Sequence, residues 1–168
     1  ALIAGKTFVT NGPAIYLEAN DVGIGHSIEI GSNEKINGTI KWDSNFQIHG
    51  VELIYNGDSV VSRNFEPGLK SGAIQFDLDL EFEGWIAARL YSKARDSFNQ
   101  PVFAHTSPIY LKNGRYSSKR KQSAKWFDDR IEESKYWIGT KGKFYNDKQR
   151  REVMDLFNHA QAVYKQKS

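Results

Sequence analysis

The sequence predicts a mainly β fold, an antiparallel immunoglobulin-like β-sandwich followed by a C-terminal helical hairpin. Three observations carry that expectation. Residues 74–83 alternate strictly: Ile74, Phe76, Leu78, Leu80 and Phe82 fall on one side, and Gln75, Asp77, Asp79, Glu81 and Glu83 on the other. A period of two marks a strand with one buried and one wet face, and no helix places five large apolar residues at that spacing. Turn signals recur roughly every 8–12 residues up to residue 112, as in an antiparallel sandwich. Beyond residue 112 the apolar spacing becomes helical.

The charge balance shifts at the same point. Residues 1–111 carry 8 Lys and Arg against 13 Asp and Glu, a balance of −5. Residues 112–168 carry 15 against 7, a balance of +8. Such a shift marks a change of architecture. The expected organisation has three parts. Residues 1–13 are a connecting segment that includes a first strand. Residues 14–111 form the sandwich. Residues 112–168 form a basic linker and two amphipathic helices.

The elements follow in order. Residues 7–10 are a short β-branched and aromatic run, turned by Asn11-Gly12-Pro13. Residues 15–19 are a strand, 20–25 a loop, and 26–30 a strand with Ile28 and Ile30 inward. Residues 35–42 place Ile36, Ile40 and Trp42 on one face. Residues 43–50 read as a polar connection. Residues 51–55 and 59–63 flank Asn56-Gly57, whose positive φ angles suit a tight hairpin, with Asp58 able to lengthen the loop. Residues 65–71, with Pro67-Gly68, read as a loop. The alternating strand follows, and Gly84 turns the chain into residues 85–91, apolar on both faces apart from Arg89 and so more central. Residues 102–112 are the last strand region, where Pro108 marks an edge, a bulge or a strand start. The total is about seven or eight strands.

Residues 112–125 hold six basic residues and no acidic one, and their first part reads as a linker. A helix is predicted over residues 122–138, with Phe127, Ile131, Tyr136 and Ile138 as its stripe and Ala124 and Trp126 leading in. Gly139 to Gly142 break it. Asn146 or Asp147 caps a second helix whose stripe is Val153, Leu156, Phe157, Ala160, Val163 and Tyr164.

The chain contains no cysteine, which excludes disulfides and thiolate metal sites without deciding the compartment. It has no apolar run near the roughly 20 residues of a membrane helix, so no membrane span is expected. It has no signal peptide and starts at Ala1, which points to a processed or excised piece. No glycine-rich phosphate loop, nucleophile elbow or dinucleotide fingerprint is present. The basic run is followed by Asp128, Asp129, Glu132 and Glu133, which repel phosphates, so no nucleic-acid partner is expected.

No catalytic and no metal-ligating residue is assigned. His26 and His49 lie in or beside loops and His159 on the exposed side of the last helix, and none has zinc-motif spacing, so each reads as structural or solvated. His105 stands beside Thr106 and Ser107 and could orient a hydroxyl, or it satisfies backbone groups near Pro108. Alternate acidic residues from Asp77 to Glu83 stand almost 7 Å apart, too wide for one ion without other ligands. Arg89 calls for a carboxylate partner or an interface.

Three segments, in this order and with the Asn-Gly hairpin between the first two, resemble a known family. They are Ala4-Gly5-Lys6-Thr7-Phe8-Val9-Thr10-Asn11-Gly12-Pro13, Trp85-Ile86-Ala87-Ala88-Arg89 and Phe103-Ala104-His105-Thr106-Ser107-Pro108-Ile109-Tyr110. Together they are similar to the C-terminal β-sandwich region of CehA/McbA-type metallohydrolases, which carry a PHP-like (polymerase and histidinol phosphatase) metal-binding barrel first. The resemblance covers most of residues 4–111 and fades in the helices. Lys6 stands where the family has arginine. The resemblance implies a non-catalytic accessory domain that packs on and supports that barrel, missing here, with residues 1–13 as the connection from it. Any divalent metal belongs to the barrel, and this chain holds no cofactor. The implied interface residues are Asn11, Pro13, Arg89, His105 and Thr106. The alternative is a carbohydrate- or surface-binding module with exposed aromatics such as Trp42 or Tyr91 as stacking platforms, which needs two or three coplanar exposed rings.

Overall fold

In the computed structural model, residues 1–31 and 34–166 are described. The chain divides into two compact units, Ala1–Arg115 and Tyr116–Ser168.

The first unit holds nine strands among the described residues. They are β1 (Phe8–Thr10), β2 (Ala14–Ala19), β3 (Val22–Gly23), β4 (Ser27–Glu29), β5 (Lys35–Tyr55), β6 (Asp58–Asp79), β7 (Gly84–Arg95), β8 (Pro101–Thr106) and β9 (Ile109–Lys112). They form one hydrogen-bonded sheet in the order β1-β8-β7-β5-β2-β3, with β6 on β5, β9 on β7 and β4 on β9. The pairings are antiparallel apart from β4 with β9, which run parallel. Those two strands lie far apart in the chain, so no tight hairpin imposes opposite directions on them.

The sheet curls because β5 and β6 bend. β5 pairs with β2 through Gly38 to Asp43 and with β7 through Gly50 to Tyr55. Between those halves its register against β6 shifts, at Asp43/Ile48 and again at Ile48/Gly50. Bulges of this kind bend a strand and let it pass from one layer to the other. β2 then lies against β7 and β8 without being hydrogen-bonded to either. The result is the sandwich-like, mainly β fold that the alternation predicts.

Two connections differ from the sequence expectation. Residues 43–50 are strand, with Ser44 and Ile48 buried, and residues 65–71 continue β6. Bulges break the period of two, so a bent strand reads as a loop. β6 pairs with β5 alone among the described residues, and an edge strand tolerates Pro67, which lacks a ladder donor. The Asn-Gly turn is tight. Tyr55 pairs with Asp58, and Asn56 and Gly57 take φ of 48° and 93°, as a two-residue hairpin requires.

One apolar cluster fills the space between the layers. Ile15, Ile36, Ile40, Ile48, Leu53, Ile86 and Ile109 are fully buried in it, with Leu17, Trp42, Phe76, Leu90 and Leu111 nearly so. Each such side chain contributes about 1.5–3 kcal/mol by leaving water. Ile36, Ile40 and Trp42 all face inward, as their spacing predicts.

The second unit is a helical hairpin of α1 (Ser118–Thr140) and α2 (Asp147–Lys165). α1 starts earlier than the apolar pattern suggests and takes up most of the basic run. Its inner stripe is Ala124 and Ile138, buried, with Ile131 half-buried, whereas Phe127 is 43% and Tyr136 72% exposed. Residue 136 lies off the three- and four-residue steps of that stripe. On α2, Leu156 and Val163 are likewise exposed. The Phe127 ring stacks on Tyr164, 5.0 Å between centroids. Asn146 caps α2, its Oδ1 accepting Gln149 N at 2.9 Å.

Candidate functional site

The three segments of the resemblance are neighbours in the sheet. β1 pairs with β8, and β8 with β7. Residues directly opposite each other project from the same face. Val9 is opposite His105, His105 opposite Arg89, and Arg89 opposite Glu52. These four make one row across the outer face of the sandwich. A second row runs from Phe103 through Tyr91 and Gly50 to Asn64. Val9, Phe103 and Tyr91 are all exposed, so this face carries apolar and aromatic surface beside an arginine and a histidine.

The five residues singled out in the sequence divide into two kinds. Asn11, Pro13 and Thr106 hold the framework. Asn11 donates through Nδ2 to Asp96 Oδ2 (3.0 Å) and Pro101 O (2.9 Å), and its Oδ1 accepts Phe103 N (2.8 Å). It clips β1 to the β7–β8 hairpin. Pro13 is buried, and its carbonyl accepts Thr10 Oγ1 at 2.6 Å. Thr106 is buried as well, and its Oγ1 accepts Ala88 N at 2.9 Å. That bond sits where β7 changes partner from β8 to β9, and it satisfies an amide the ladder leaves open.

Arg89 and His105 reach the outer face. Arg89 Nε pairs with Glu52 Oε2 while half of its side chain remains exposed, so both a carboxylate partner and surface access are present. Ser59 Oγ donates to the other Glu52 oxygen at 3.1 Å. His105 Nδ1 lies 2.7 Å from Thr106 O. A carbonyl only accepts, so Nδ1 carries the proton and the neutral ring presents Nε2 as an acceptor. The nearby hydroxyls are engaged elsewhere. Thr7 Oγ1 and Ser107 Oγ bond each other at 3.0 Å, and Thr106 serves Ala88. Among the described residues no hydroxyl or carboxylate is hydrogen-bonded to His105.

Among the described residues, the outer surface of the β unit carries two concavities that bear on the site. A cavity of about 250 Å³ at the β5–β6–β7 end is lined by His49, Asn64, Phe65, Glu66, Tyr91 and Lys93. Lys93 donates to Glu66 and, by bonding and by its charge, holds that carboxyl below its ordinary range. An open groove of about 830 Å³ crosses the outer face of β2, β5 and β6 between Glu18, Asp21, Glu34, Asn37, Gln75 and Asp77. Among the described residues no three His, Asp or Glu gather closely enough to hold a metal ion. No described helix is long and apolar enough to cross a membrane.

Trp42 is not a stacking platform. It is 3% exposed and packs on Phe65, 5.4 Å between centroids, because its strand face turns into the core. Tyr91 is 43% exposed. Glu52, Asn64, His49 and Lys93 carry no motif in the sequence. They join the face through register between distant strands.

No protein-family model and no curated protein matches the chain in sequence.

Proposed function

We propose that this chain is a non-catalytic accessory β domain that docks on a PHP-type metallohydrolase barrel through the outer face of β1, β8 and β7. The observation that supports it most is the convergence of the resembling segments on one exposed face. Val9, His105 and Arg89 come one from each segment and stand in a single row. Exposed apolar side chains beside an arginine have the composition of a protein interface, which is enriched in aromatic residues and arginine. His105 Nε2 offers an acceptor to a donor on the partner. The divalent metal and the hydrolytic residues belong to the barrel in this reading. The test has two arms. The coding sequence upstream of Ala1 should specify a long segment rich in His, Asp and Glu. The 168-residue chain should show no esterase or phosphatase turnover, and turnover abolished by His105→Ala overturns the reading.

The alternative is a carbohydrate- or surface-binding module. With Trp42 in the core, that reading rests on Tyr91 alone of the two platforms named for it.

A further inference from the structure

Tyr91 leaves β7 on the outer face and lies across β5. Its register partner there is Gly50. A Cβ at residue 50 would overlap Cε1, Cζ and Oη of the Tyr91 ring, three atoms nearly equidistant from that point. The hydroxyl end of the ring therefore occupies the space a side chain at residue 50 would fill, and Tyr91 remains 43% exposed. Its hydroxyl donates to Asn64 Oδ1 at 2.8 Å, which anchors the tip of the side chain over β5 and β6. That bond uses the amide oxygen of Asn64 and leaves its two N–H donors for a ligand.

The surrounding groups are equally defined. His49 Nδ1 accepts Lys93 N at 3.2 Å, so the neutral ring carries its proton on Nε2 and presents a donor. Glu66 and Lys93 form an ion pair on the same rim, supplying acceptor and donor atoms with no net charge. The site thus offers one aromatic platform, both kinds of hydrogen-bonding group, and a balanced charge. A phosphate or carboxylate finds no excess cation here, and Arg89 is already paired with Glu52. At about 250 Å³, the cavity is smaller than the roughly 300–1,000 Å³ of drug-sized ligand sites.

We infer that this cavity binds one pyranose ring of a neutral oligosaccharide. The polarised C–H bonds on one face of the sugar lie on the electron-rich face of Tyr91. Its hydroxyls bond to Asn64, His49, Glu66 and Lys93. The site borders the Val9–His105–Arg89 row, since Tyr91 pairs with Phe103, and the inference rests on the carbohydrate-binding alternative and not on the docking reading.

The experiment is an NMR and calorimetric titration of the 168-residue chain with soluble hexasaccharides. Four probes are used: β-1,4-glucose, β-1,4-xylose, β-1,4-N-acetylglucosamine and α-1,4-glucose. At least one series is expected to shift the amides of Asn64, Tyr91 and Lys93 at millimolar sugar. Tyr91→Ala should weaken that binding about tenfold, the loss of a stacking contact of roughly 1.4 kcal/mol. Gly50→Ala, which displaces the ring, should weaken it to a similar degree. Tyr91→Phe should retain most of it, and Phe98→Ala, an exposed aromatic elsewhere, all of it. Unchanged thermal unfolding of Tyr91→Ala separates a lost contact from a lost fold. Absence of shifts with all four sugars, or binding that survives Tyr91→Ala, overturns the inference. The titration uses the 168-residue chain without the barrel, so its failure is distinguishable from a failure of docking, which is read with the barrel present.

Discussion

The two outer faces of the sandwich rest on one core and differ in what they show to water. Across β2, β5 and β6 the rows read Glu18–Thr39–Gln75 and Tyr16–Lys41–Ala73, with Asn37 opposite Asp77. Across β1, β8 and β7 they read Val9–His105–Arg89 and Phe103–Tyr91. The first is polar and charged apart from Tyr16 and Ala73. The second holds three exposed apolar or aromatic side chains around an arginine and a histidine. A period of two locates the wet side of a strand and leaves open whether that side meets solvent or a partner. The composition of the outward half carries that second message.

Substitutions that affect both faces together come first. Leu90→Ala in β7 and Ile40→Ala in β5 each leave a cavity in the shared cluster and should cost about 2–5 kcal/mol. Because one cluster supports both layers, each variant should still unfold in a single denaturant transition. Two transitions would mean that the faces belong to separately stable layers.

Next in size is a contrast between two threonines. Thr106→Val removes the acceptor of a buried Ala88 N–H, and should cost about 1–3 kcal/mol. Thr39→Val lies on the polar outer face and should change stability by no more than about 0.5 kcal/mol. Equal costs in urea unfolding would count against Thr106 as a ladder substitute.

The faces should separate most clearly in association. Val9→Asp and Phe103→Asp should weaken binding to the barrel about tenfold or more, since a charge desolvated at an apolar contact costs over 1.4 kcal/mol. Thr39→Asp and Gln75→Lys should leave that binding unchanged. Isothermal titration with the separately produced barrel measures all four, and the reverse pattern would assign docking to the polar face.

The smallest effect concerns Asp96, which caps the turn at the end of the β7–β8 hairpin. Its Oδ1 accepts Phe98 N and Gln100 N, each at 2.9 Å, and Oδ2 accepts Asn11 Nδ2 at 3.0 Å. These bonds, that from Gln100 N foremost, hold its carboxyl below the ordinary value of 3.8. A depressed folded-state pKa stabilises fully above the unfolded value and loses that contribution as pH falls through the folded one. Exchange of the Phe98 and Gln100 amides should therefore accelerate only below pH 3.8, with Asp96→Asn fast already at neutral pH. Acceleration of the wild-type amides nearer neutrality would remove the cap from the account.

Much of the fold was legible in the residues. Ile36, Ile40 and Trp42 announced their inward face, and Asn56-Gly57 its turn, because each signal is local. Residues 43–50 and 65–71 hid their strand character, since bulges disrupt the alternation that reveals a strand. Tyr136 was misplaced by a two-residue offset within α1. The candidate site was less legible for a different reason. That Arg89 stands between Glu52 and His105, and Tyr91 over Gly50, follows from register between strands remote in sequence. Asn11, Pro13 and Thr106 belonged to the same motifs, and only their hydrogen bonds show them holding the framework.

The central claim is that the β1–β8–β7 face is covered in the intact gene product and the β2–β5–β6 face is not. Hydroxyl-radical footprinting of that product against the 168-residue chain reads side-chain access at both. Phe103 and Tyr16 are 42% and 57% exposed in the chain alone. The account predicts strong protection of Phe103, Val9 and His105 in the intact product, with Tyr16 oxidised as before. Equal oxidation of Phe103 in the two samples, or protection of Tyr16 in its place, would contradict it.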